Sequence, residues 1–227
     1  MPPAKSPRRP CPAHWPDRIA LRLTADHRAI DGLWIGAYHS GTAEAVLQRV
    51  VAALGLIKTF DRPRYNRLAR DLERIWVRRI ASGAGYHDQR LRACVLDECF
   101  VLAESTDAEM IAGAIVHEAT HARLDRCGFD YEEARRERLE AICNRRMLAF
   151  ALKLPDGSGV RAWAEANLAP DPAYYTDAAI SERDQAGARR LLEEVRPRWL
   201  GRLMLALFEA ARRRAERRPS PSRQPGS

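Results

Sequence analysis

The sequence predicts an α+β fold that is mostly helical and carries a small sheet. Two observations indicate this class of fold. Apolar residues recur at helical spacing through most of the chain, and the short runs that favour strands fall within roughly the first hundred positions. The 227 residues, 46% of them hydrophobic and 30% charged, are enough for one domain with a substantial core.

The two ends of the chain differ in composition from the middle. Residues 1–16 are rich in proline and arginine, and residues 211–227 are basic and rich in proline and serine, so we expect both ends to be disordered, flexible arms. They flank one expected domain at 17–210, whose motifs lie in 90–152. The net charge of +8 belongs to the arms, so we do not expect the basic stripe on a folded face that nucleic-acid binding requires.

Three sequence features bear on the location of the protein. The sequence has no apolar stretch of about 18 residues, so we expect no membrane-spanning helix. The charged N-terminal residues are not followed by the apolar run of a secretory signal. Five cysteines without the spacing of a disulfide framework fit a reducing, cytoplasmic location.

The first half of the chain is predicted to contain strands and two helices. Residues 18–23 alternate apolar side chains with a period of two, which favours a strand. Helices are predicted over 42–54, ending before Gly55, and over 63–80, where apolar residues form a stripe. Residues 90–103 are rich in valine, leucine and cysteine, and are predicted to form one or two short strands.

The second half is predicted to be helical. A helix over 106–124 is followed by another over 131–152, and then by a helical section over 160–218 with a loop at 171–177. Within that section the strongest amphipathic runs are 184–196 and 198–214.

An H-E-x-x-H motif lies within the predicted helix 106–124. A T-x-x-E capping box at Thr106 and an all-round apolar run before the motif predict that this helix is central and buried. His117 and His121, four positions apart, lie on one face of a helix, where two imidazoles can hold one zinc ion. Glu118 is then placed to act as the general base; the opposing interpretation is two core histidines bonded to backbone carbonyls.

A third protein ligand has to come from another segment, because a catalytic zinc keeps its fourth position for water. Glu140 on the next predicted helix is the first candidate, since the chain can reverse between the two helices. Asn144, one turn further on, could accept the free N–H of a ligand histidine, and Asp125 could replace it in that role. Glu137 stays an alternative ligand, although the position four residues after it is an alanine.

Further side chains could contribute to such a site. Cys143 is interpreted as a small core residue in preference to a metal ligand. Donors to a developing oxyanion stay open among four residues in predicted loops. These residues are Tyr86, His87, Tyr174 and Tyr175.

The H-E-x-x-H motif, followed by E-x-x-[small]-[Asp/Asn], resembles the gluzincin group of zinc metallopeptidases, and in scale the short one-domain minigluzincins. The resemblance covers roughly residues 95–152. It implies a zincin-like fold, a Zn²⁺ cofactor and a peptide or protein substrate. The zinc ligands it implies are His117, His121 and Glu140, with Glu118 as catalytic base. It also implies that residues 92–103 supply the edge strand beside the substrate cleft.

The sequence therefore predicts a hydrolase, a zinc-dependent peptidase. One departure from the family is that Asn144 stands where the larger members carry aspartate, which would raise the basicity of a histidine ligand less. The alternative is a non-catalytic regulatory or binding protein with a structural or degenerate zinc site. Cys127 or Cys143 bound to the metal would favour that alternative, because a structural site closes all four positions with protein ligands.

Overall fold

The computed structural model describes residues 25–38, 41–168 and 172–194, together with Trp199. Within these ranges the chain forms seven α-helices, a short 3-10 helix and one five-stranded sheet, which confirms the α+β class. The predicted arms and the predicted strand at 18–23 lie outside the described residues, as does the amphipathic run 198–214 apart from Trp199.

The sheet is mixed and has the strand order β1-β2-β3-β5-β4. The strands are β1 (Ala25–Ile30), β2 (Leu33–Tyr38), β3 (Arg74–Arg78), β4 (Gly85–Asp88) and β5 (Ala93–Asp97). β1 and β2 form a hairpin around Asp31 and Gly32, whose φ angles of 50° and 83° suit a two-residue turn. β2, β3 and β5 run parallel, and β4 returns antiparallel to β5.

Seven helices in the described part of the chain accompany the sheet, and the central ones pack against one of its faces. They are α1 (Ala43–Phe60), α2 (Arg62–Asp71), α3 (Glu98–Leu102), α4 (Ala108–Arg126), α5 (Glu133–Ala151), α6 (Ser158–Ala166) and α7 (Asp177–Glu194), with the 3-10 helix at Pro172–Tyr175. Fully buried side chains of the parallel strands, such as Ile35 and Ile75, join Ile111 and Ile115 of α4 in one core. α4 packs against α1, the sheet and α5.

α4 is the central helix that the sequence predicts. It begins at Asp107, whose carboxylate accepts a hydrogen bond of 2.7 Å from the N–H of Met110, so the cap lies one residue after the predicted Thr106. Every residue from 111 to 116 is buried. The first turns of the helix are therefore fixed inside the core, and they hold the following H-E-x-x-H motif in place.

The sequence predicts the helices of the described chain better than the strands. The helices predicted over 42–54, 106–124 and 131–152 are confirmed as α1, α4 and α5, although α1 continues through Gly55. The prediction over 63–80 is wrong in its second half, where α2 ends and β3 begins. The reason is that alternate residues of β3 enter the core, which is the pattern of a strand.

The strand prediction over 90–103 is correct for β5 and wrong for the residues that form α3. The expectation that 92–103 supplies an edge strand is also wrong, because β5 lies between β3 and β4. β4 is instead the last strand on that side of the described sheet. The helical section after residue 157 contains α6, the 3-10 helix within the predicted loop, and α7. None of the helices described is long and apolar enough to cross a membrane.

Candidate metal centre

α4 presents two imidazoles side by side. The Nε2 atoms of His117 and His121 are 3.2 Å apart, and their ring centroids are 5.0 Å apart at a tilt of 57°. Both side chains are largely buried, with exposed fractions of 14% and 13%. The spacing of one helical turn therefore does what the sequence predicts and turns both rings toward one point.

Glu140 reaches the same point from α5. Its Oε2 lies 3.2 Å from Nε2 of His117, and its Oε1 lies 3.2 Å from Nε2 of His121. The chain reverses between α4 and α5 at Gly128, whose φ of 82° is open to glycine at little steric cost. The reversal sets α5 alongside α4, so the carboxylate faces both imidazoles.

The spacing of these donor atoms can be compared with the geometry of a tetrahedral ion. With ligand bonds of about 2.0–2.1 Å, two ligand atoms of a tetrahedral zinc site stand about 3.3–3.4 Å apart. The two Nε2 atoms are 3.2 Å apart, and each also lies 3.2 Å from a different oxygen of Glu140, Oε2 for His117 and Oε1 for His121. Two imidazole nitrogens and a carboxylate oxygen also form a donor set that suits zinc. The spacing and the donor types are therefore compatible with a tetrahedral metal site in which the carboxylate of Glu140 faces both imidazoles.

Cys143 belongs to the same cluster. One ligand atom of each of His117, His121 and Cys143 lies within 4.8 Å of the other two, and this buried group could bind a metal ion. The thiol is fully buried, and its interaction with the imidazole of His121 partly offsets the rise in its pKa that burial causes. The sequence interpretation of Cys143 as a core residue is thus correct for its burial but incomplete. Its position three residues after Glu140, on the same face of α5, is the signal that could have revealed it.

Tyr131, in the connection between α4 and α5, also contacts the site, and no pattern in the sequence points to it. Its hydroxyl donates a hydrogen bond to Oε1 of Glu140, and its ring meets the ring of His121 edge-on at 5.3 Å. The guanidinium of Arg136 lies 5.1 Å from the centre of the same ring. Tyr131 thus holds Glu140 and His121 together from the outer side. A residue in a connecting segment has no periodicity that would have pointed to this role.

Glu118 lies beside the cluster, under strand β4. Its exposed fraction is only 7%, and the backbone N–H of His87 lies close enough to its carboxylate to lower its pKa. A Cβ added at Gly85 would lie 3.6 Å from Cγ of Glu118 and only 2.7 Å from the carbonyl oxygen of Val95. Glycine is therefore needed where β4, β5 and Glu118 meet.

The charges in the cluster are strongly coupled. Burial raises the pKa of Glu118 above its ordinary value, and the nearby imidazoles offset only part of this effect. Burial also raises the pKa of Glu140, but hydrogen bonds from His117 and His121 reverse the effect and hold it well below its usual range. The pKa of Glu118 is thus raised while that of Glu140 is lowered, although the two carboxyl groups lie beside the same pair of imidazoles.

Whereas the pKa of Glu140 is lowered, that of His121 is raised. Burial lowers its pKa, yet the hydrogen bonds with Cys143 and Glu140 outweigh burial and raise the pKa well above its ordinary value. The groups around His121 therefore favour a positive charge on its imidazole. A cation held between the imidazoles and Glu140 would meet the same electrostatic preference.

Three predicted partners lie elsewhere. The expected hydrogen bond from Asn144 to a histidine is absent among the described residues: its Nδ2 donates to the carbonyl of Asn167 at 3.2 Å, and its buried Oδ1 has no partner there. Asp125 turns toward β4 and accepts a hydrogen bond from Gln89. Glu137 is exposed on α5, so the structure brings Glu140, and not Glu137, to the imidazoles.

The four predicted candidates for an oxyanion donor do not lie together in the structure. Tyr86 points to the opposite face of the sheet, where its hydroxyl accepts a hydrogen bond of 2.7 Å from Arg78. The hydroxyl of Tyr175 donates to Asn167, and the ring of Tyr174 lies under Arg183. These three tyrosines therefore do not converge on one point of the structure. His87 lies next to the cluster, and burial lowers its pKa to about 4, so its imidazole is neutral at pH 7.

Comparison of the chain with known protein families, with curated proteins and with solved structures found no match. The structure itself defines an α+β protein with a buried group of histidine and cysteine side chains that could bind a metal ion. A glutamate from each of the two helices that carry this group lies beside it.

Proposed function

We propose that the protein is a zinc-dependent peptidase. The observation that carries this proposal is the convergence of His117, His121 and Glu140, with each imidazole Nε2 3.2 Å from a carboxylate oxygen. Two histidines from an H-E-x-x-H helix and one glutamate from the next helix are also the ligands that the resemblance to gluzincins implies. Zinc is the proposed metal because tetrahedral sites of this donor set select it.

The proposed reaction is hydrolysis of a peptide bond. When bound, zinc would supply a Lewis acid that polarises the scissile carbonyl and makes water acidic enough to attack at neutral pH. Glu118 accepts a proton from the attacking water and then delivers it to the leaving amine. The raised pKa of Glu118 supports this double role, because a carboxylate that is buried binds and releases a proton closer to neutral pH.

Strand β4 is the proposed contact surface for the substrate. β4 hydrogen-bonds β5 along one side, and no other strand of the described sheet pairs with its second side. Gly85 and the backbone N–H of His87 place β4 directly over Glu118. An extended peptide paired with this edge would run past the general base, as in other cases where a peptide adds a strand to a sheet.

The experiment that tests the proposal combines metal analysis with peptide cleavage. Zinc bound to the purified protein is quantified by mass spectrometry, and new peptide termini are sought in a defined peptide mixture. We expect about one zinc per chain and cleavage that a chelator abolishes and added zinc restores. His117→Ala serves as the matched variant. Cleavage by His117→Ala at the wild-type rate would show that the activity comes from another protein.

A second candidate function follows from the place of Cys143. If its thiolate closes the fourth position, the site is a structural zinc centre, and the protein acts by binding rather than by hydrolysis. The observation that favours this candidate is that the sulfur lies within 4.8 Å of a ring nitrogen of each imidazole.

X-ray absorption at the zinc edge separates the two candidates. A sulfur ligand appears at about 2.3 Å, whereas nitrogen and oxygen ligands appear at about 2.0–2.2 Å. For the peptidase we expect a spectrum without sulfur, and unchanged zinc content in Cys143→Ala. Cys127→Ala is a suitable control, because Cys127 is exposed and ends α4. Loss of zinc in Cys143→Ala but not in Cys127→Ala would favour the structural site.

A further inference from the structure

A second cleft lies on a different face of α4 from the metal centre. It has a volume of about 330 Å³ and is formed by α2, α4 and α5. The wall that α4 contributes consists of Val116, Ala119, Thr120 and Arg123. The residues from α4 recur at spacings of three and four, so they form one helix face, whereas His117 and His121 point away from it.

The walls of this arginine cleft carry more positive charge than the surrounding acids neutralise. Its one acidic residue, Asp71, is almost fully buried and already accepts hydrogen bonds from Arg126 at 2.9 Å and from Arg70 at 3.3 Å. Arg123 also approaches Asp71, at 3.8 Å. Arg64 is paired, at 2.8 Å, with Asp61 outside the cleft. The carboxylates near the cleft are thus engaged by at least one guanidinium each.

Two of the wall arginines have no such partner. Arg67 of α2 and Arg146 of α5 form neither an ion pair nor a hydrogen bond with another residue in the part of the chain that the structure describes. Both side chains are exposed at the mouth of the cleft. Two free guanidinium groups facing one cavity can bind a single anionic group from two sides, because each offers a planar pair of donors.

The floor of the cleft has a different chemistry. Leu68, Val116 and Ala119 are apolar and belong to the protein core. The hydroxyl of Thr120 is engaged with the carbonyl of Val116 at 2.8 Å, so it adds little polarity. A volume of about 330 Å³ is at the lower end of the range for small-molecule sites and exceeds what one inorganic anion fills.

We infer that the arginine cleft binds a small organic phosphate monoester, with the phosphate held by Arg67 and Arg146 and a small apolar body against the floor of the cleft at Ala119. A phosphate is favoured over a carboxylate because its oxygens can accept bidentate hydrogen bonds from both guanidinium groups at once. This site is separate from the metal centre and does not depend on the proposed peptidase activity.

The test is calorimetric titration of the full chain with phenyl phosphate at constant ionic strength. We expect saturable binding, weakened at least about tenfold in Arg67→Gln/Arg146→Gln, because charge-assisted hydrogen bonds contribute most of the affinity. The control Arg138→Gln/Arg145→Gln removes the same charge from exposed positions on α5 outside the cleft. We expect the control to bind within about twofold of wild type, since only screened, long-range attraction is lost.

Two further titrations test which ligand binds and where it binds. Inorganic phosphate should bind more weakly than phenyl phosphate, because it cannot use the apolar floor, and equal affinity would overturn an organic ligand. His117→Ala should bind phenyl phosphate as wild type does, and loss of binding in this variant would place the anion at the metal centre instead. Equal affinity of the two double variants, or no saturable binding up to about 10 mM, would also overturn the proposal.

Discussion

Nε2 of His117 lies 3.2 Å from Oε2 of Glu140, although 23 residues separate them in the sequence. The contact joins α4 to α5, and the same carboxylate also meets His121 and Tyr131. Each of these groups is largely buried or packed against another ring. Because buried polar groups are unfavourable unless they are satisfied, the cluster has to be maintained by mutual contacts or by a bound ion.

The role of Glu118 can be tested separately from metal binding. Glu118→Gln keeps the shape of the side chain and removes the base, so we expect peptide cleavage to fall by about 10²- to 10⁴-fold. Zinc content should stay at the wild-type level, because Glu118 lies beside the three donor atoms and is not one of them. Rates are measured with the peptide that wild type cleaves. A variant that cleaves as fast as wild type would exclude Glu118 as the base.

Glu140 and Glu137 form a matched pair on α5. Glu140→Ala removes a carboxylate that touches both imidazoles, so we expect zinc affinity to fall by more than the roughly 10- to 100-fold seen when residues that only support ligands are removed. Glu137→Ala removes an exposed carboxylate from the same helix and should leave affinity unchanged. Affinity is measured by competition with a chromophoric chelator. Equal effects of the two substitutions would show that position 140 supplies charge and no ligand.

The part of the fold that the sequence predicts correctly is the part that local patterns determine. The apolar run and the polar cap of α4 act within a few residues of each other, and so do the two histidines one turn apart. β3 is different, because its neighbours β2 and β5 come from distant parts of the chain. Its five residues continue an apolar pattern that also suits a helix, and only pairing in the sheet decides between the two.

The residues of the candidate site likewise differ in whether local sequence patterns predict their contacts. Position 140 could be chosen from the order of residues, but the approach of Tyr131 depends on how the α4–α5 connection packs against His121. Asn144 has the expected spacing after Glu140, yet its amide faces the end of α6 because α5 packs against that helix. The spacing of residues on a helix predicts which residues share a face, and the neighbouring helix decides what that face contacts.

Gly55 and Gly113 both lie in helices, but the first has open space beside its Cα and the second is closely packed. Gly55 of α1 has nothing within 4 Å of the position of an added Cβ, so we expect Gly55→Ala to raise the free energy of unfolding by about 0.5–1 kcal/mol. At Gly113 of α4 an added Cβ would lie 2.7 Å from Cγ1 of Val160, a β-branched side chain that cannot easily turn away. Gly113→Ala should therefore lower that free energy by about 1–3 kcal/mol.

Urea denaturation of both variants measures the two effects. The substitution is chemically identical in each, so differences in helix propensity cancel and the surroundings decide the sign. Stabilisation by Gly113→Ala would show that α6 can move away from α4 without loss of packing.

Asp61, which begins α2, is expected to make stability depend on pH. The carboxylate is 3% exposed and contacts Nε of Arg64 at 2.8 Å and Nζ of Lys153 at 2.9 Å. Burial raises the pKa of Asp61, but the hydrogen bonds from Arg64 and Lys153 outweigh burial and lower it. A carboxyl group with a lowered pKa in the folded state stabilises the protein above its unfolded pKa of about 3.9, and this contribution is lost as pH falls through the folded pKa.

Asp61→Ala should therefore lower the free energy of unfolding at pH 7 by about 2–4 kcal/mol, since it removes a helix cap and leaves two cations near a buried position. The difference from wild type should shrink as the pH is lowered below about 4. Asp107→Ala is the control, because Asp107 caps α4 through the N–H of Met110 and should lose about 1 kcal/mol. Urea denaturation from pH 3 to pH 7 measures all three proteins. If the loss in Asp61→Ala is constant across this range, the ion pairs of Asp61 do not contribute to stability.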